Sequence, residues 1–522
     1  MNNSRLFQYQ TRKYLLDMSV SQRVCIFQIQ NSSLRPTPNR LYHASRYLQD
    51  QTINSQIAPK FSINTKHIRQ NPVLHEKNCL ERNYIAQSKY PAKICSLFDE
   101  YQANITGSRA LRERNNQVNR KIALMATPSE SVSIDSLDSG QCSRDALLME
   151  ARSLKNELSG IKTRQTELQT EIDQLAAAIP NITSDKTPRG FIPCVKGYFN
   201  ELPDSNSPSC KVWRSHVEIA RELNLMDFSG AAVTSGWGWY YLLNDAVLLE
   251  QALIQYALSV VRKHGWSLVS PPSMVYSHIA QACGFQPRDQ NGEQQVYNVQ
   301  QPSADIGRKP QLSLTGTAEI PLASMKANQT LEATDLPLKF VGASRCYRAE
   351  AGARGSNTRG LYRVHEFTKV EMFAWTLPND AASTLVFDEI LSIQTEILGA
   401  LSLPCRILEM PSTDLGASAS RKCDIEAFFP SRRARDDGWG EVTSASTCTD
   451  YQTRRLATRL RSLHPSSEDV PTFPYTINGT ALAIPRVLAA LLENGWVEEK
   501  GHVEIPKALW PWMDGQKVIK KC

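Results

Sequence analysis

The sequence predicts an α+β fold, in which an antiparallel sheet flanked by helices is preceded by an antiparallel coiled-coil hairpin. Three observations carry that expectation. Leu147, Ala151, Leu154, Leu158, Ile161, Gln165, Leu168, Ile172 and Leu175 alternate by four and three residues with only Gln165 polar, a heptad seam sustained over four repeats. Beyond about residue 190, several runs alternate polar and apolar residues, as antiparallel strands with one solvated face do. A length of 522 residues also exceeds what one hydrophobic core organises, so two or more folding units are expected.

Residues 1–58 read as a leader. Most of the net charge of +7 lies in residues 1–60: Arg5, Arg12, Lys13, Arg23, Arg35, Arg40, Arg46 and Lys60 face only Asp17 and Asp50, so the remaining chain is nearly neutral and its pI says little about partners. The segment has no Glu, is rich in Ser, Gln and Asn, and ends near RLYHASRYL. That is the composition of a mitochondrial transit peptide, although a plain disordered extension shares much of it.

Residues 59–189 form the expected arm. FSINTKHIRQNPVLHEKNCLERN reads as a short helical lead-in with a proline inside it, and two long helices follow from Pro91. In the first, Ile94, Phe98, Tyr101 and Ile105 set a seam that resumes, after a phase slip, at Leu111, Val118, Ile122 and Met125. ATPSESVSIDSLDSGQ, polar and Ser-rich, suits the turn between the helices. The distal half of the first helix is basic, with Arg109, Arg112, Arg114, Arg120 and Lys121 against Glu113. A projecting rod of that charge could lie along a phosphate backbone; heptads more commonly serve dimerisation, and charge runs a solvated face. IPNITSDKTPRG, with Pro180, Pro188 and Gly190, ends the rod as a linker.

Residues 190–522 read as the mixed unit. ALIQYALSVVRKHGW has helical spacing and runs into SLVSPP, a strand stopped by two prolines. QLSLTGTAEIPL, LKFVGASRCYRAE, GLYRVHEFTKVEMFAW and KCDIEAFFP read as strands. On a strand, Arg348 and Glu350 share a face, as do Arg363, Phe367 and Glu371. Paired as a hairpin, these residues suit a phosphate, a base and an amino group together, since Arg offers a planar fork and Phe a stacking ring. Cross-strand Arg and Glu pairs are also ordinary on exposed sheets. Twelve cysteines without a C-x-x-C pair exclude a zinc ribbon or thioredoxin-type site, and no apolar run is long enough to cross a membrane as a helix.

The run CYRAE, a loop of Gly, Ala, Ser and Arg, and then RVHEF resembles the second motif of class II aminoacyl-tRNA synthetases; AGARGSNTRGLYRVHEFTKVEMF resembles that of seryl-tRNA synthetases in particular. LSVVRKHGWSLVSPP resembles the first motif, LTGTAEIPL the serine-binding element, EVTSASTCTDYQTRR the metal and ATP segment, and INGTALAIPRVLAALLEN the third motif. The likeness runs from about residue 62 to 516. It implies the class II sheet, adenylation of serine by ATP, transfer to tRNA(Ser) gripped by the arm, magnesium as cofactor, and a homodimer formed through the first motif. With the leader it implies a mitochondrial matrix enzyme, leaving a further role in the cytoplasm open.

The resemblance also implies roles for matching residues. Arg348 would bridge the serine carboxylate and the ATP α-phosphate. Glu350 would accept from the adenine amino group, with the Val364 backbone beside it. Phe367 would stack beneath the base, Arg486 would cover its other face and reach the phosphates, and Arg363 would hold the pyrophosphate end. Glu441 and Ser444 would be the oxygen ligands of magnesium, a hard cation. Serine would meet Thr317, Glu319, Arg348, Glu371, Asn478 and Thr480. Arg348, Arg486 and Glu441 would carry catalysis. Cys346 and Cys448 read as packing residues, and His365 receives no catalytic role because the attacking carboxylate is already ionised.

Three departures from the family pattern, Glu366 for Gln, Thr447 for Asn and Cys423 for an aromatic, touch specificity rather than the charged residues that the mechanism needs. Two rivals follow: a paralogue that keeps the fold and arm without catalysis, and an enzyme that activates threonine or alanine. Retention of Arg348, Glu441 and Arg486 argues against the first, and the TAE element, Glu371 and NGT against the second.

Overall fold

The protein is described from a computed structural model over residues 59, 61–126, 137–201, 213–285, 296–350, 360–434, 436–461 and 472–521. The expected leader, most of the polar turn after residue 126 and nearly all of the Gly-rich loop after residue 350 lie outside these residues.

The helical lead-in is two helices, α1 (Thr65–Gln70) and α2 (Pro72–Glu81). The Asn64 side chain caps α1 by accepting from the His67 amide, and Pro72 opens α2, where its missing N–H leaves no bond unmade. The long helices α3 (Tyr90–Ala126) and α4 (Leu137–Ala178) then pack antiparallel, and all nine seam positions of α4 are buried or half-buried. Three ion pairs fix the register: Lys93–Glu171 at 2.6 Å, Glu100–Arg164 at 2.8 Å and Arg114–Glu150 at 2.6 Å. From the first pair to the second both helices advance one heptad, and to the third two more. The phase slip expected in the first helix is not there. The seam continues through Ser108 and Asn115, polar residues that an apolar count passes over. Ser108 is fully buried because its hydroxyl donates to the Ile105 carbonyl within the same helix.

The stretch after α4 is not a loose linker. Asn181 Nδ2 donates to the carbonyls of Ser418 and Cys448, both at 2.8 Å, while the Asn181 carbonyl accepts from Asn78 and from the buried Arg82. The arm is thus tied by hydrogen bonds to the sheet it precedes.

In chain order the mixed region contains β1 (Cys194–Phe199), α5 (His216–Glu222), α6 (Asp245–Lys263), β2 (Ser267–Leu268), α7 (Glu319–Ser324), β3 (Leu338–Tyr347), β4 (Glu366–Thr376), α8 (Asp380–Ala400), β5 (Cys405–Glu409), β6 (Arg421–Phe428), β7 (Trp439–Thr449), β8 (Tyr475–Ala483) and α9 (Ile484–Gly495), with shorter elements between them. Eight strands form one sheet in the order β1-β5-β6-β7-β8-β4-β3-β2. Every neighbouring pair is antiparallel except β2 with β3, which is parallel.

Alternation along β4 assigns the faces. Val370, Met372 and Ala374 enter the main core with apolar residues of α6, α8 and α9. Phe367, Lys369 and Glu371 point the other way, followed by Phe373 and Trp375, which join a smaller core with Ile320 and Leu322 of α7. The solvated face expected of the sheet is not found on its central strands. From Phe367 to Thr376 β4 is buried on both sides, because α7 and its neighbours cover what the helical layer does not. Of QLSLTGTAEIPL, expected as strand, Leu312–Leu314 is a short strand, whereas EIPL opens α7, with Ala318 at its N-cap and Glu319 in its first turn.

Candidate active site

The strand hairpin expected around the Gly-rich loop is present, with Cys346 opposite Phe367, but its charged residues lie past the strand ends. β3 stops at Tyr347 and β4 starts at Glu366, so Arg348, Glu350, Arg363 and Val364 sit on the connecting segment rather than on paired strands. Glu350 has φ +48°, a left-handed conformation that turns the chain out of the strand direction. The Arg348 amide still donates to the His365 carbonyl at 2.9 Å, and His365 Nδ1 lies 2.9 Å from the Arg348 carbonyl, where it donates. His365 therefore fixes the Arg348 backbone while its ring packs against Trp237 and Trp239.

Arg348, Glu350, Arg363, Val364, Phe367, Glu441, Ser444 and Arg486, every residue expected to bind ATP, line one cavity. The Arg348 guanidinium lies over the Phe367 ring, 5.2 Å from its centroid. Arg363 Nε is 3.4 Å from Glu350 Oε2, so those two neutralise each other here. Arg486, in the first turn of α9, donates from Nη1 to the Glu441 carbonyl at 2.9 Å and to Glu441 Oε2 at 3.2 Å, and from Nε to the Tyr362 carbonyl at 3.2 Å.

Glu441 and Ser444 are three residues apart, which on a regular strand would put them on opposite faces. The pairing of β6 with β7 shifts register at this point, from Ile425 opposite Thr443 to Glu426 opposite Glu441. That one-residue bulge brings both side chains to the cavity. Burial alone would raise the Glu441 carboxyl, but Lys422, Arg486 and Arg348 outweigh it and hold the carboxyl down at about 2. The donor set is therefore one ionised carboxylate and one hydroxyl, oxygens that suit magnesium when phosphate and water complete its shell.

Apart from Arg348, which lines the cavity itself, the residues expected to hold serine form a second, buried group beside it. Thr480 sits opposite Glu371 in the sheet, and its hydroxyl donates to Glu371 Oε2 at 3.1 Å. Lys369 Nζ is 2.7 Å from the same oxygen. Gln452 Nε2 donates to Glu319 Oε1 at 2.6 Å, and Asn478 also bonds Glu319. Thr317 Oγ1 accepts from the Glu319 amide at 3.3 Å. Burial raises the Glu319 carboxyl to about 7, aided by the nearby Glu371 charge and opposed by Lys369, Gln452 and Asn478. Thr317, Glu319, Glu371 and Asn478 do not border the cavity itself; Thr480 and Lys369 do.

Sequence reasoning missed Lys369 and Gln452. Lys369 shares parity with Phe367 and Glu371 and was within reach of the face argument. Gln452 lies on a one-turn helix after β7, where no periodicity marks it. Lys422 and Asp424, paired at 2.7 Å on β6, were missed as well. Cys346 and Cys448 are buried and burial pushes both thiols up, as packing residues require.

Residues 63–183 match the family described as seryl-tRNA synthetase N-terminal domain, and residues 297–495 match the tRNA synthetase class II core domain (G, H, P, S and T). The chain is 39% identical over 462 residues to the mitochondrial serine–tRNA ligase of Schizosaccharomyces pombe, covering 88% of this chain and 89% of that protein. The chain belongs to the seryl-tRNA synthetase family. The mitochondrial serine–tRNA ligase of Saccharomyces cerevisiae is 41% identical over 370 residues, 70% of this chain and 78% of its own length. A crystal structure of seryl-tRNA synthetase from Pyrococcus horikoshii complexed with ATP superposes with a TM-score of 0.74 at 30% identity, covering 88% of this chain and all of that one. As a seryl-tRNA synthetase the chain is a serine–tRNA ligase, with the class II sheet and helical arm described above.

Proposed function

We propose that this synthetase activates serine with ATP and charges tRNA(Ser) for mitochondrial translation. The convergence of Arg348, Glu441 and Arg486 on one cavity above Phe367 carries the reading. ATP lies with its base on Phe367 and against Glu350 and the Val364 backbone, its phosphates toward Arg363 and Arg486. Serine sits with its ammonium toward Glu319 and Glu371, near Asn478 and the Thr317 and Thr480 hydroxyls. A serine carboxylate oxygen attacks the α-phosphorus, the bond to the bridging oxygen breaks, and pyrophosphate leaves with that electron pair. A hydroxyl of the terminal tRNA ribose then attacks the acyl carbon, and AMP departs.

Arg348 bridges the two anions that must meet, so catalysis is charge neutralisation and positioning. Glu441 and Ser444 would hold a magnesium ion, which neutralises phosphate charge when bound.

In this reading residues 1–58 are the mitochondrial targeting leader, 59–189 the tRNA-binding arm and 190–522 the catalytic domain. The relatives named as mitochondrial support a matrix location. Half-exposed Val247 and Leu248 on α6, with Leu268 on β2, offer the apolar surface that a homodimer would cover.

ATP–pyrophosphate exchange with serine, threonine, alanine and glycine side by side tests the proposal. Exchange that depends on serine is expected; equal exchange with threonine, or silence with all four, would overturn it.

A further inference from the structure

The connection between β3 and β4 returns to the sheet through Gly360, Leu361, Tyr362 and Arg363, and the last three line the cavity proposed for ATP. That return is held from outside the cavity by His216, the first residue of α5 and buried. The two ring nitrogens do different work. Nε2 accepts from the Leu361 amide at 3.0 Å, which requires that nitrogen to be unprotonated. The proton is then on Nδ1, which donates to Glu493 Oε1 at 2.8 Å.

Glu493, on α9, is the hub behind the ring. Its Oε1 also accepts from the Tyr362 hydroxyl at 3.0 Å and from the Ser431 hydroxyl at 2.9 Å, and its Oε2 from the Ser431 amide at 3.1 Å. Burial would raise this carboxyl, but the bonds from His216 and Ser431 outweigh it and keep it below its ordinary value. The Tyr362 ring meets the His216 ring edge-on, with centroids 4.8 Å apart. Arg486, the third residue of the same helix, donates from Nε to the Tyr362 carbonyl at 3.2 Å.

Contact between ring and loop is close enough to dictate a residue. Gly360 has φ +70°, and a Cβ there would fall on the His216 imidazole and 2.7 Å from Val217 Cγ2. A side chain at 360 would displace either the ring or the loop.

We propose that His216, oriented by Glu493, is a positioning residue for the ATP site, setting the backbone from Leu361 to Arg363 so that Arg363 and the Val364 backbone face the nucleotide. This rests on the reading of the cavity as an ATP site. Serine is held by other elements, so the two substrates should respond differently when the bond to Leu361 is lost.

The test uses two substitutions that each keep one ring nitrogen's role. In His216→Asn the amide stands near the Nδ1 position and still reaches Glu493 but not Leu361; in His216→Gln the amide extends to the Nε2 position and its oxygen can accept from Leu361. On the full chain, His216→Asn is expected to raise the ATP KM about tenfold while the serine KM stays within about twofold, and His216→Gln to recover most of the loss. The ATP Kd by calorimetry should move in parallel. ATP and serine constants shifting together, or His216→Gln no better than His216→Asn at equal thermal stability, would overturn the proposal.

Should His216→Asn not fold, Gly360→Ala disturbs the same contact from the loop side and is expected to show the same ATP-selective loss; an unchanged ATP Kd in that variant would count against the proposal. If the unaltered protein binds ATP but gives no serine-dependent exchange, the serine-activation reading fails, and the ATP Kd of the variants still decides the role of His216.

Discussion

At the scale of single residues, the site is organised by where charge is held. Arg348 has its backbone fixed by His365 and its guanidinium over Phe367, a placement that orients it before substrate arrives. Arg348→Ala is expected to lower serine-dependent pyrophosphate exchange by at least ~100-fold, because a preorganised cation facing developing charge is worth that much; near-normal exchange would remove it from the mechanism. Glu319 supports a pH prediction. Its carboxyl is raised to about 7, so in the empty site it is largely protonated below that pH and ionised above it. An ammonium needs the carboxylate, so the serine KM should fall as pH rises from 6 to 8, and Glu319→Gln should flatten the profile; a wild-type KM constant over that range would contradict the assignment. These residues were legible because the family motifs name them, and the cavity gathers every one expected to bind ATP. Gln452 was not, since its partner Glu319 is brought from elsewhere in the chain; Lys369, two residues from its partner Glu371 on β4, was within reach of the face argument and was passed over.

At the scale of elements, sequence patterns served well where one period ran long and poorly where backbone irregularity decided the outcome. The seam of α4 and the two faces of β4 follow from spacing alone. The common orientation of Glu441 and Ser444 does not, because it depends on a one-residue bulge against β6 that no alternation announces. EIPL was misread because so short a run of mixed polarity fits a strand as well as a helix turn, and packing against Phe373 and Trp375 decides between them. The arm supports a prediction of its own. Its basic residues Arg109, Arg112, Arg120 and Lys121 are exposed, while Arg114 is engaged by Glu150. Replacing residues 108–156 with a short glycine linker should leave exchange within about threefold and reduce tRNA charging by at least about tenfold, since distant sites act independently and the removed surface carries the exposed basic residues proposed to meet phosphates. Charging that survives the deletion would assign the arm another role.

At the scale of the whole molecule, α2 and the chain after α4 are locked to the catalytic sheet through Asn78, Arg82 and Asn181, which explains why a segment punctuated by two prolines is a joint and not a tether. Sequence composition saw the prolines and not the carbonyls they bring into reach. Removal of residues 1–58 should preserve exchange and abolish mitochondrial import; loss of exchange on truncation would show that the segment belongs to the fold. The ion-pair ladder of the arm carries a different kind of consequence. Because Lys93–Glu171, Glu100–Arg164 and Arg114–Glu150 advance in whole heptads on both helices, an insertion in one helix alone would shear every pair beyond it. A change in the arm's reach that keeps this ladder therefore takes matched insertions or deletions on both sides of the hairpin, in increments of about 10 Å for each seven residues.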